Sequence, residues 1–431
     1  MILEAEYSIR SSKSAKSVNQ LLPNGDAIRL RLHFPAPTPN SAELKRYSMS
    51  FRILSKPLRS RSRNRLSPFF SIFLRSFARI SSQFTSPTFG IAFDIDGVLL
   101  RGDAPIGGSP QALKKLYDDS GVLRIPYIFL TNGGGFRESK RASNLSEVLG
   151  INISPLQVVQ SHSPFKHLVN RYENELVIAV GKGEPAAVMS EYGFRNVLSI
   201  DEYASFFDNI DPLAPYKKWT TIKGANHENT VADVAEKKKI CSERVEATFI
   251  FSDSVDWSRD IQVLCDILRT GGLPGREFGH QPDLYFAHDD LEYQAAFPCE
   301  RFGMGAFRIA LESIYNRIHP HALQYTCFGK PNPLVFRNAE AVLKLVSSID
   351  QNKTAANNES RHFKTLYMIG DNPAVDINGA IQAGSPWFSI LTRTGVFKGR
   401  ANHDKYPANL VVDTVEEAVE YIFKKEGISL E

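Results

Sequence analysis

The sequence is constrained most by a series of short apolar runs that alternate with amphipathic stretches. Such runs occupy residues 89–93, 125–130, 323–328, 365–369 and 387–391. Each run has the length of a strand, and the stretches between them show the 3.6-residue spacing of helices. Alternation of this kind predicts an α/β fold with a Rossmann-like core built on a parallel sheet.

A second block with the same alternation of apolar runs and amphipathic stretches interrupts the first. It contains three further apolar runs between residues 176 and 288. A block that interrupts the first in this way predicts an inserted domain. We therefore expect a core made of residues 89–160 and 322–431, with residues 161–321 forming a large inserted α/β domain.

The first 88 residues differ from the rest in composition. Residues 1–89 hold 15 Lys and Arg against 4 Asp and Glu, and from Met49 to residue 88 the chain is rich in Arg and Ser and free of acidic residues. This composition is typical of organelle transit peptides. We predict that residues 1–88 are a mitochondrial transit peptide or a disordered leader, with matrix location expected and a plastid as the alternative. Whether translation starts at Met1 or Met49 stays open.

Charge and cysteine content exclude several classes of protein. The whole chain has a formal net charge of +4, so the strongly basic leader leaves the remainder acidic, which argues against a nucleic-acid partner. No apolar stretch approaches the length of a membrane-spanning helix. The cysteines lie far apart without metal-ligand spacing, which favours reduced thiols; they are Cys241, Cys265, Cys299 and Cys327.

Polar side chains follow four of the apolar runs at the point where each run ends. Carboxyl ends of parallel strands lie at one edge of a sheet, so residues that are distant in sequence can meet there. The set includes carboxylates, a hydroxyl, an amide and an ammonium group, which together suit the transfer of a phosphoryl group. Its members are Asp94, Asp96, Thr131, Asn132, Lys330 and Asp371.

The carboxylates suggest a division of roles. The carboxylate of Asp94 can attack phosphorus and form an aspartyl-phosphate, which divides one difficult displacement into two easier ones. Asp96 can protonate the leaving oxygen and then activate water. Carboxylates this close repel one another, and Mg²⁺, which prefers oxygen ligands, would relieve the repulsion; Asp94, Asp96 and Asp371 are the candidate ligands.

The remaining members are suited to binding the phosphoryl oxygens. Thr131, Asn132 and Lys330 offer a hydroxyl, an amide and a positive charge where negative charge develops during transfer. Gly133 and the two glycines after it offer backbone N–H groups with little steric bulk. The glycine run is not a Walker loop, because G-x-x-x-x-G-K-[ST] does not occur.

Four segments closely resemble the motifs of the haloacid dehalogenase superfamily of hydrolases, subfamily IIA: FDIDGVLLRG, LTNGGG, GKPNP and GDNPAVDI. The inserted block, with IFSDSVDWSRDIQVLCDIL and LYFAHDDL, is similar to the cat eye syndrome critical region protein five type. The resemblance implies a Rossmann-like core with a C2-type cap domain and a Mg²⁺-dependent phosphatase. It also implies that Asp94 is the nucleophile, Asp96 the acid/base, Thr131 and Lys330 the phosphate-binding residues, and Asp371 and Asp376 further metal-site carboxylates.

The cap departs from the family pattern at one place. Related caps often carry an N-P-D triplet that faces the active site, whereas this chain reads His288, Asp289, Asp290. Only Asp290 matches, so it is the one candidate substrate contact that the resemblance implies in the cap.

These features predict a Mg²⁺-dependent phosphomonoesterase for a small phosphorylated metabolite, with glycerophosphate-type compounds as candidates. Two alternatives remain open. One is a catalytically weak binding or regulatory protein that keeps the fold, and the other is a phosphotransferase in which an alcohol replaces water. The natural substrate and the oligomeric state are not readable from the sequence.

Overall fold

The structure of the protein is a computed structural model. It describes residues 18–21, 27–30, 87–217, 231–349 and 362–428. The predicted leader, residues 1–88, lies mostly outside this part of the chain, since residues 1–17, 22–26 and 31–86 are not described. The chain divides into two units, Met1–Phe84 and Thr85–Glu431. In the first unit, two short strands pair in antiparallel fashion.

The strands follow one another along the chain in the order β1 to β17. They are β1 (Val18–Leu21), β2 (Ala27–Leu30), β3 (Phe89–Phe93), β4 (Leu100–Arg101), β5 (Ala104–Pro105), β6 (Tyr127–Thr131), β7 (Val158–Gln160), β8 (Leu176–Val180), β9 (Val197–Ser199), β10 (Val245–Ile250), β11 (Asp283–Phe286), β12 (Glu292–Tyr293), β13 (Arg301–Phe302), β14 (Thr326–Cys327), β15 (Thr365–Gly370), β16 (Trp387–Thr392) and β17 (Leu410–Val412).

The α-helices of the described residues lie between these strands, except for the last helix, which follows β17. They are α1 (Ser109–Lys114), α2 (Glu138–Leu149), α3 (Val169–Tyr172), α4 (Pro185–Tyr192), α5 (Ile200–Ser205), α6 (Val231–Ser242), α7 (Trp257–Arg269), α8 (Met304–Ile318), α9 (Pro333–Ile349), α10 (Asn378–Ala383) and α11 (Val415–Lys425). Short 3₁₀ turns occur at Pro155–Gln157, Ser163–Leu168 and Ala214–Tyr216, and a single π-helical turn occupies Pro373–Ile377.

The larger sheet, which we call the core sheet, has six parallel strands in the order β17-β16-β15-β3-β6-β7. Strand β3 lies near its centre and all five of its residues are buried. Successive side chains of a strand point to opposite faces. Ile91 and Phe93 accordingly pack with Leu145 of α2 and Val419 of α11, whereas residue 92 faces the other side. The predicted α/β parallel-sheet fold is confirmed.

The opposite face of the core sheet is covered by α9. Ala92 packs there against Phe336 and Leu343 of this helix, together with Leu366 and Met368 of β15. Burial on both faces explains why β3 and β15 read as nearly continuous apolar runs rather than as alternating polar and apolar residues.

The second sheet, which we call the inserted sheet, has five parallel strands in the order β14-β11-β10-β8-β9. Its strands lie between β7 and β15 in the chain, so the segment is an insertion into the core sheet. One strand prediction was wrong. The apolar run 323–328 was expected in the core sheet, but its two paired residues, Thr326 and Cys327, join Tyr285 and Phe286 of β11.

Two further predictions concern membranes and thiols. Within the described part of the chain, no α-helix combines the length and the apolarity that crossing a membrane requires. The cysteines are free: Cys241, Cys265, Cys299 and Cys327.

Candidate active site

The pairing of the central strands brings the predicted site residues to one edge of the core sheet. Phe93 of β3 lies beside Ile369 of β15 on one side and Phe129 of β6 on the other. The backbone N–H of Asp94 donates to the Ile369 carbonyl at 2.9 Å. The residues at or just beyond the ends of these three strands therefore meet; they are Asp94, Asp371, Thr131 and Asn132.

Three carboxylates and one ammonium group form a buried cluster at this edge. Asp94, Asp371 and Asp376 each offer an oxygen atom within 4.8 Å of the others. Lys330 Nζ donates to Asp94 Oδ1 at 2.6 Å and to Asp376 Oδ1 at 2.7 Å. All four side chains are buried. The sequence placed these residues together, and the structure does the same.

Burial and mutual repulsion set the protonation of this cluster. Burial raises the pKa of Asp94 well above its usual value, with Lys330 opposing the change. Burial, and next the charge of Asp376, raise the pKa of Asp371 to about 8. Burial disfavours the Lys330 ammonium, yet Asp376 and Asp94 together raise its pKa.

The charge balance of the cluster fits a divalent cation. Three carboxyl groups share a single ammonium group, so ionisation of all three would leave excess negative charge in a place where an unpaired charge is costly. Carboxylate oxygens are the ligands that Mg²⁺ prefers. Asp94, Asp371 and Asp376 are therefore the residues that could hold such an ion.

Backbone N–H groups orient two of these carboxylates. Asp371 Oδ2 accepts from Val396 N at 2.6 Å. Asp376 Oδ2 accepts from Asn372 N at 3.0 Å, and Asp376 itself lies on the π-helical turn Pro373–Ile377. Turns of this kind are rare and are often found at functional sites. The turn places Asp376 within reach of Lys330.

The side chain of Asp96 is set apart from this cluster. Among the described residues, the carboxylates that converge closely enough to share a metal are Asp94, Asp371 and Asp376. Asp96 instead lies across from the glycine run, with Oδ2 3.2 Å from where a Cβ of Gly133 would stand. This position suits proton transfer better than metal coordination through the carboxylate.

The electrostatic surroundings of Asp96 agree with that role. Burial raises its pKa, while the positive charges of Arg141, Lys182 and Lys330 act in the opposite direction. A carboxyl group with a raised pKa is more readily protonated near neutral pH, as a general acid must be.

Thr131 and the glycine run form a short loop beside the cluster. Thr131 is buried at the end of β6, and its Oγ1 accepts from the backbone N–H of Gly133 at 2.9 Å. Since an Oγ that accepts one hydrogen bond can still donate its own hydrogen, Thr131 retains a donor for a bound anion.

Asn132 links three parts of the site. Its Nδ2 donates to Asp290 Oδ1 at 2.8 Å and to the Lys330 carbonyl at 3.0 Å, and its Oδ1 accepts from Lys330 N at 2.9 Å. Both amide hydrogens are thus committed. In this arrangement the Asn132 side chain positions Lys330 and Asp290, whereas the sequence assigned it to phosphate binding.

The inserted segment supplies the opposite wall of the cleft that opens onto Asp94, Lys330 and Asp371. The empty space of this cleft is about 630 Å³, part of which is open solvent. Asp290 lies on this wall as predicted, but most of its neighbours were missed. Lys182 and Asp253 follow β8 and β10, so the rule that located the core residues at strand ends could have found them too. The residues of this wall are Lys182, Ser252, Asp253, His288, Asp290, Glu292, Tyr293 and Gln294.

We expect Gly97→Ala to disable the site through Asp371. Gly97 has φ of +91°, and a Cβ at this position would overlap Asp371 Oδ2. A displacement of about 1 Å in a catalytic group can cost roughly 10²-fold in rate. Turnover and thermal unfolding of the purified variant check the expectation.

Gly121→Ala is the matched control. Gly121 has φ of +78°, and no atom of the described residues lies within 4 Å of the added Cβ. Both variants bear the same backbone penalty of about 1–2 kcal/mol, but only Gly97→Ala should lose activity. Equal activity of the two variants would show that Asp371 tolerates displacement.

The fold and the site together define the class of protein. The haloacid dehalogenase-like hydrolase family matches residues 91–195, and a second, related hydrolase family matches residues 327–418. The first match contains Asp94, Asp96 and Thr131, and the second contains Lys330 and Asp371. The chain belongs to the haloacid dehalogenase-like hydrolases, and it is an enzyme of that superfamily.

Two curated relatives match this chain over most of its length. A mitochondrial hydrolase of Saccharomyces cerevisiae is 34% identical over 360 residues, which are 80% of this chain and 97% of the relative. A cardiolipin synthase (CMP-forming) / mitochondrial hydrolase fusion protein of Schizosaccharomyces pombe is 33% identical over 341 residues. That match spans 78% of this chain and 53% of the fusion protein.

Solved structures share the fold at low sequence identity. A hypothetical protein of Pyrococcus horikoshii is 19% identical, with a TM-score of 0.51 over 78% of this chain and 99% of that chain. A 4-nitrophenylphosphatase of Thermotoga maritima is 17% identical, with a TM-score of 0.50 over 78% of this chain and 97% of that chain. The core sheet and its insertion are thus a shared architecture.

Proposed function

We propose that the protein is a Mg²⁺-dependent phosphomonoesterase that acts on a small phosphorylated metabolite through an aspartyl-phosphate. The observation that carries the proposal is the buried cluster in which Lys330 bridges Asp94 and Asp376 beside Asp371. A structural core gains little from three buried carboxylates, because their desolvation outweighs what one ammonium group returns.

The chemistry assigns one role to each group. In the first step an Asp94 oxygen forms a bond to phosphorus while the ester P–O bond breaks, and Asp96 donates its proton to the departing alcohol oxygen. In the second step Asp96 takes a proton from water, whose oxygen attacks phosphorus and releases Asp94. Bound Mg²⁺ would neutralise charge on the phosphoryl oxygens.

The other residues bind or position. We propose that Lys330 and the Thr131 hydroxyl contact the phosphoryl oxygens, where most stabilisation of the transition state arises. The Gly133 N–H, which donates to Thr131 Oγ1, orients that hydroxyl. Asn132 holds the Lys330 backbone in place, and Asp371 and Asp376 complete the metal site. Asp290, which accepts a hydrogen bond from Asn132, borders the space for the leaving group.

A glycerophosphate-type substrate and a mitochondrial matrix location complete the proposal. Both curated relatives are named as mitochondrial hydrolases, and one of them is fused to a cardiolipin synthase. The inserted segment 161–321 would act as the cap that excludes water and favours small substrates.

Removal of the metal tests the proposed chemistry. Protein treated with a chelator should release no phosphate from 4-nitrophenyl phosphate or from a panel of small phosphomonoesters, and added Mg²⁺ should restore release. Full activity in the chelator would contradict the metal assignment. Absence of release from every compound with Mg²⁺ present would favour a binding protein, and transfer to an added alcohol in preference to water would indicate a phosphotransferase.

The location is tested independently of the chemistry. Residues 49–88 fused to a fluorescent protein should direct it to mitochondria, because the segment is basic and free of acidic residues. Signal in the cytosol would refute the transit peptide, and signal in plastids would establish the alternative compartment.

A further inference from the structure

The wall of the cleft that faces the catalytic carboxylates is rich in hydrogen-bond acceptors. The inserted segment builds it, with Asp253, Asp290 and Glu292 as its acidic side chains and Lys182 as a basic one. Because the phosphoryl group must lie against Asp94 and Lys330, this opposite wall borders the alcohol part of a substrate. Its chemistry therefore selects the leaving group.

The lysine on this wall is already paired with an acidic side chain. Lys182 Nζ donates to Asp253 Oδ2 at 2.7 Å and lies 5.5 Å from the centre of the Tyr293 ring. His288 lies beside Asp290, with its Nδ1 3.3 Å from Asp290 N and 3.4 Å from Asp290 Oδ2. Of the described residues on the wall, Lys182 alone bears a fixed positive charge.

One buried acceptor on the wall lacks a donor. Gln294 is only 1% exposed, and its Nε2 donates to the carbonyls of Ala295 at 2.9 Å and Phe297 at 3.0 Å. Its Oε1 is buried and has no hydrogen-bond partner within the described chain. Buried polar atoms are rarely left unpaired, and Gln294 lines the cleft. A rotation of this side chain that exposes Oε1 to the cleft would let a bound molecule supply the donor.

Glu292 adds an unpaired carboxylate at the rim. It is exposed at the start of β12, and no described residue pairs with it. The charges of Asp253, Asp290 and Glu292 exceed that of Lys182 by two, and by one when Asp290 is protonated. A second anionic group on the substrate would meet this excess.

We infer that the alcohol released from the substrate carries hydroxyl or ammonium donors and no negative charge. The inference rests on the proposed phosphatase function. Donors on the alcohol would satisfy Gln294 Oε1 and Glu292. A carboxylate or second phosphate in their place would face like charge, and the described residues of this wall offer it no lysine or arginine that is not already paired. Rejection by like charge is a usual source of specificity.

The experiment compares three phosphomonoesters of similar size whose leaving groups differ in charge. Glycerol 3-phosphate, phosphoethanolamine and 3-phosphoglycerate release a neutral, a cationic and an anionic alcohol, and 4-nitrophenyl phosphate serves as the reporter of basal chemistry. We expect kcat/KM for 3-phosphoglycerate to be at least about tenfold below that for the other two metabolites.

Glu292→Gln should reduce the difference in kcat/KM between 3-phosphoglycerate and the other two metabolites. Glu292 is exposed, so its replacement should not disturb folding. The variant should gain several-fold in kcat/KM for 3-phosphoglycerate relative to glycerol 3-phosphate. Glu340→Gln is the matched control, since Glu340 pairs with Lys344 on α9 outside the cleft, and its substrate ratios should equal those of the unaltered protein.

The outcomes separate this inference from the proposed function. Hydrolysis of 4-nitrophenyl phosphate together with a preference for 3-phosphoglycerate would overturn the inference and leave the phosphatase intact. If Glu292→Gln leaves the ratio of kcat/KM for 3-phosphoglycerate and glycerol 3-phosphate unchanged, the acidic wall does not reject anionic leaving groups and the inference is overturned. Failure to hydrolyse any of the four compounds would refute the proposed function itself.

Discussion

Asp94→Asn is expected to abolish phosphate release while the protein remains folded. An amide does not attack phosphorus, and loss of a nucleophile that acts with its partners as a unit costs on the order of 10⁴-fold or more in rate. The amide introduced by the substitution keeps an oxygen that can accept from Lys330 Nζ, which lies 2.6 Å from Asp94 Oδ1 in the unaltered protein. Phosphate release and thermal unfolding are the two measurements.

The stability of this variant is informative in itself. Burial and the charges of Asp376 and Asp371 raise the pKa of Asp94. In the absence of metal, keeping this carboxylate ionised therefore destabilises the folded protein. Neutralising it should leave the free energy of unfolding unchanged or higher. Loss of activity with a lower stability would mean that misfolding, rather than chemistry, explains the result.

Asp413→Asn is the matched control for the loss of one carboxylate. Asp413 is exposed, pairs with Arg393 at 2.5 Å just beyond the edge strand β17, and is not one of the residues that line the cleft. Surface ion pairs contribute about 0–1 kcal/mol. This variant should keep full activity, and near-full activity in Asp94→Asn would refute the assignment of the nucleophile.

Asp96→Asn is expected to have the second largest effect on turnover, and this effect should depend on the substrate. Loss of a general acid/base slows turnover by roughly 10² to 10⁴-fold. The loss should be larger for alkyl phosphates, whose alcohols need a proton on departure, than for 4-nitrophenyl phosphate, whose phenolate leaves without one. The ratio of kcat for the two substrates, before and after substitution, measures this dependence.

A uniform loss for both kinds of substrate would contradict the acid role. It would place Asp96 among the groups that hold the metal or the phosphate, as the sequence also allowed. The structure favours the acid role, since the Asp96 side chain stands outside the cluster of Asp94, Asp371 and Asp376.

Much of the core could be predicted because local patterns determine it. The runs that became β3 and β15 are buried on both faces, so their apolar character is continuous and easily recognised. The positions of Asp94 and Asp371 then follow, because parallel strands end at a common edge. No long-range information was needed for this step.

Other features depend on contacts that the sequence pattern does not encode. The run 323–328 looks the same whichever sheet it joins, and only the register with Tyr285 and Phe286 places β14 in the inserted sheet. The role of Asn132 depends on Lys330, which lies 198 residues further along the chain. Neither periodicity nor composition reports such a partner.

The covalent intermediate is the central claim, and mass spectrometry of the Asp96→Asn protein tests it most directly. After brief incubation with Mg²⁺ and 4-nitrophenyl phosphate, the intermediate should accumulate, because the water that would cleave it lacks its base. We predict one phosphoryl group on the peptide that contains Asp94, and none on that peptide when Asp94→Asn is added. A phosphoryl group elsewhere, or continued turnover with no phosphoryl group on that peptide, would show that water attacks the substrate directly and would contradict the account.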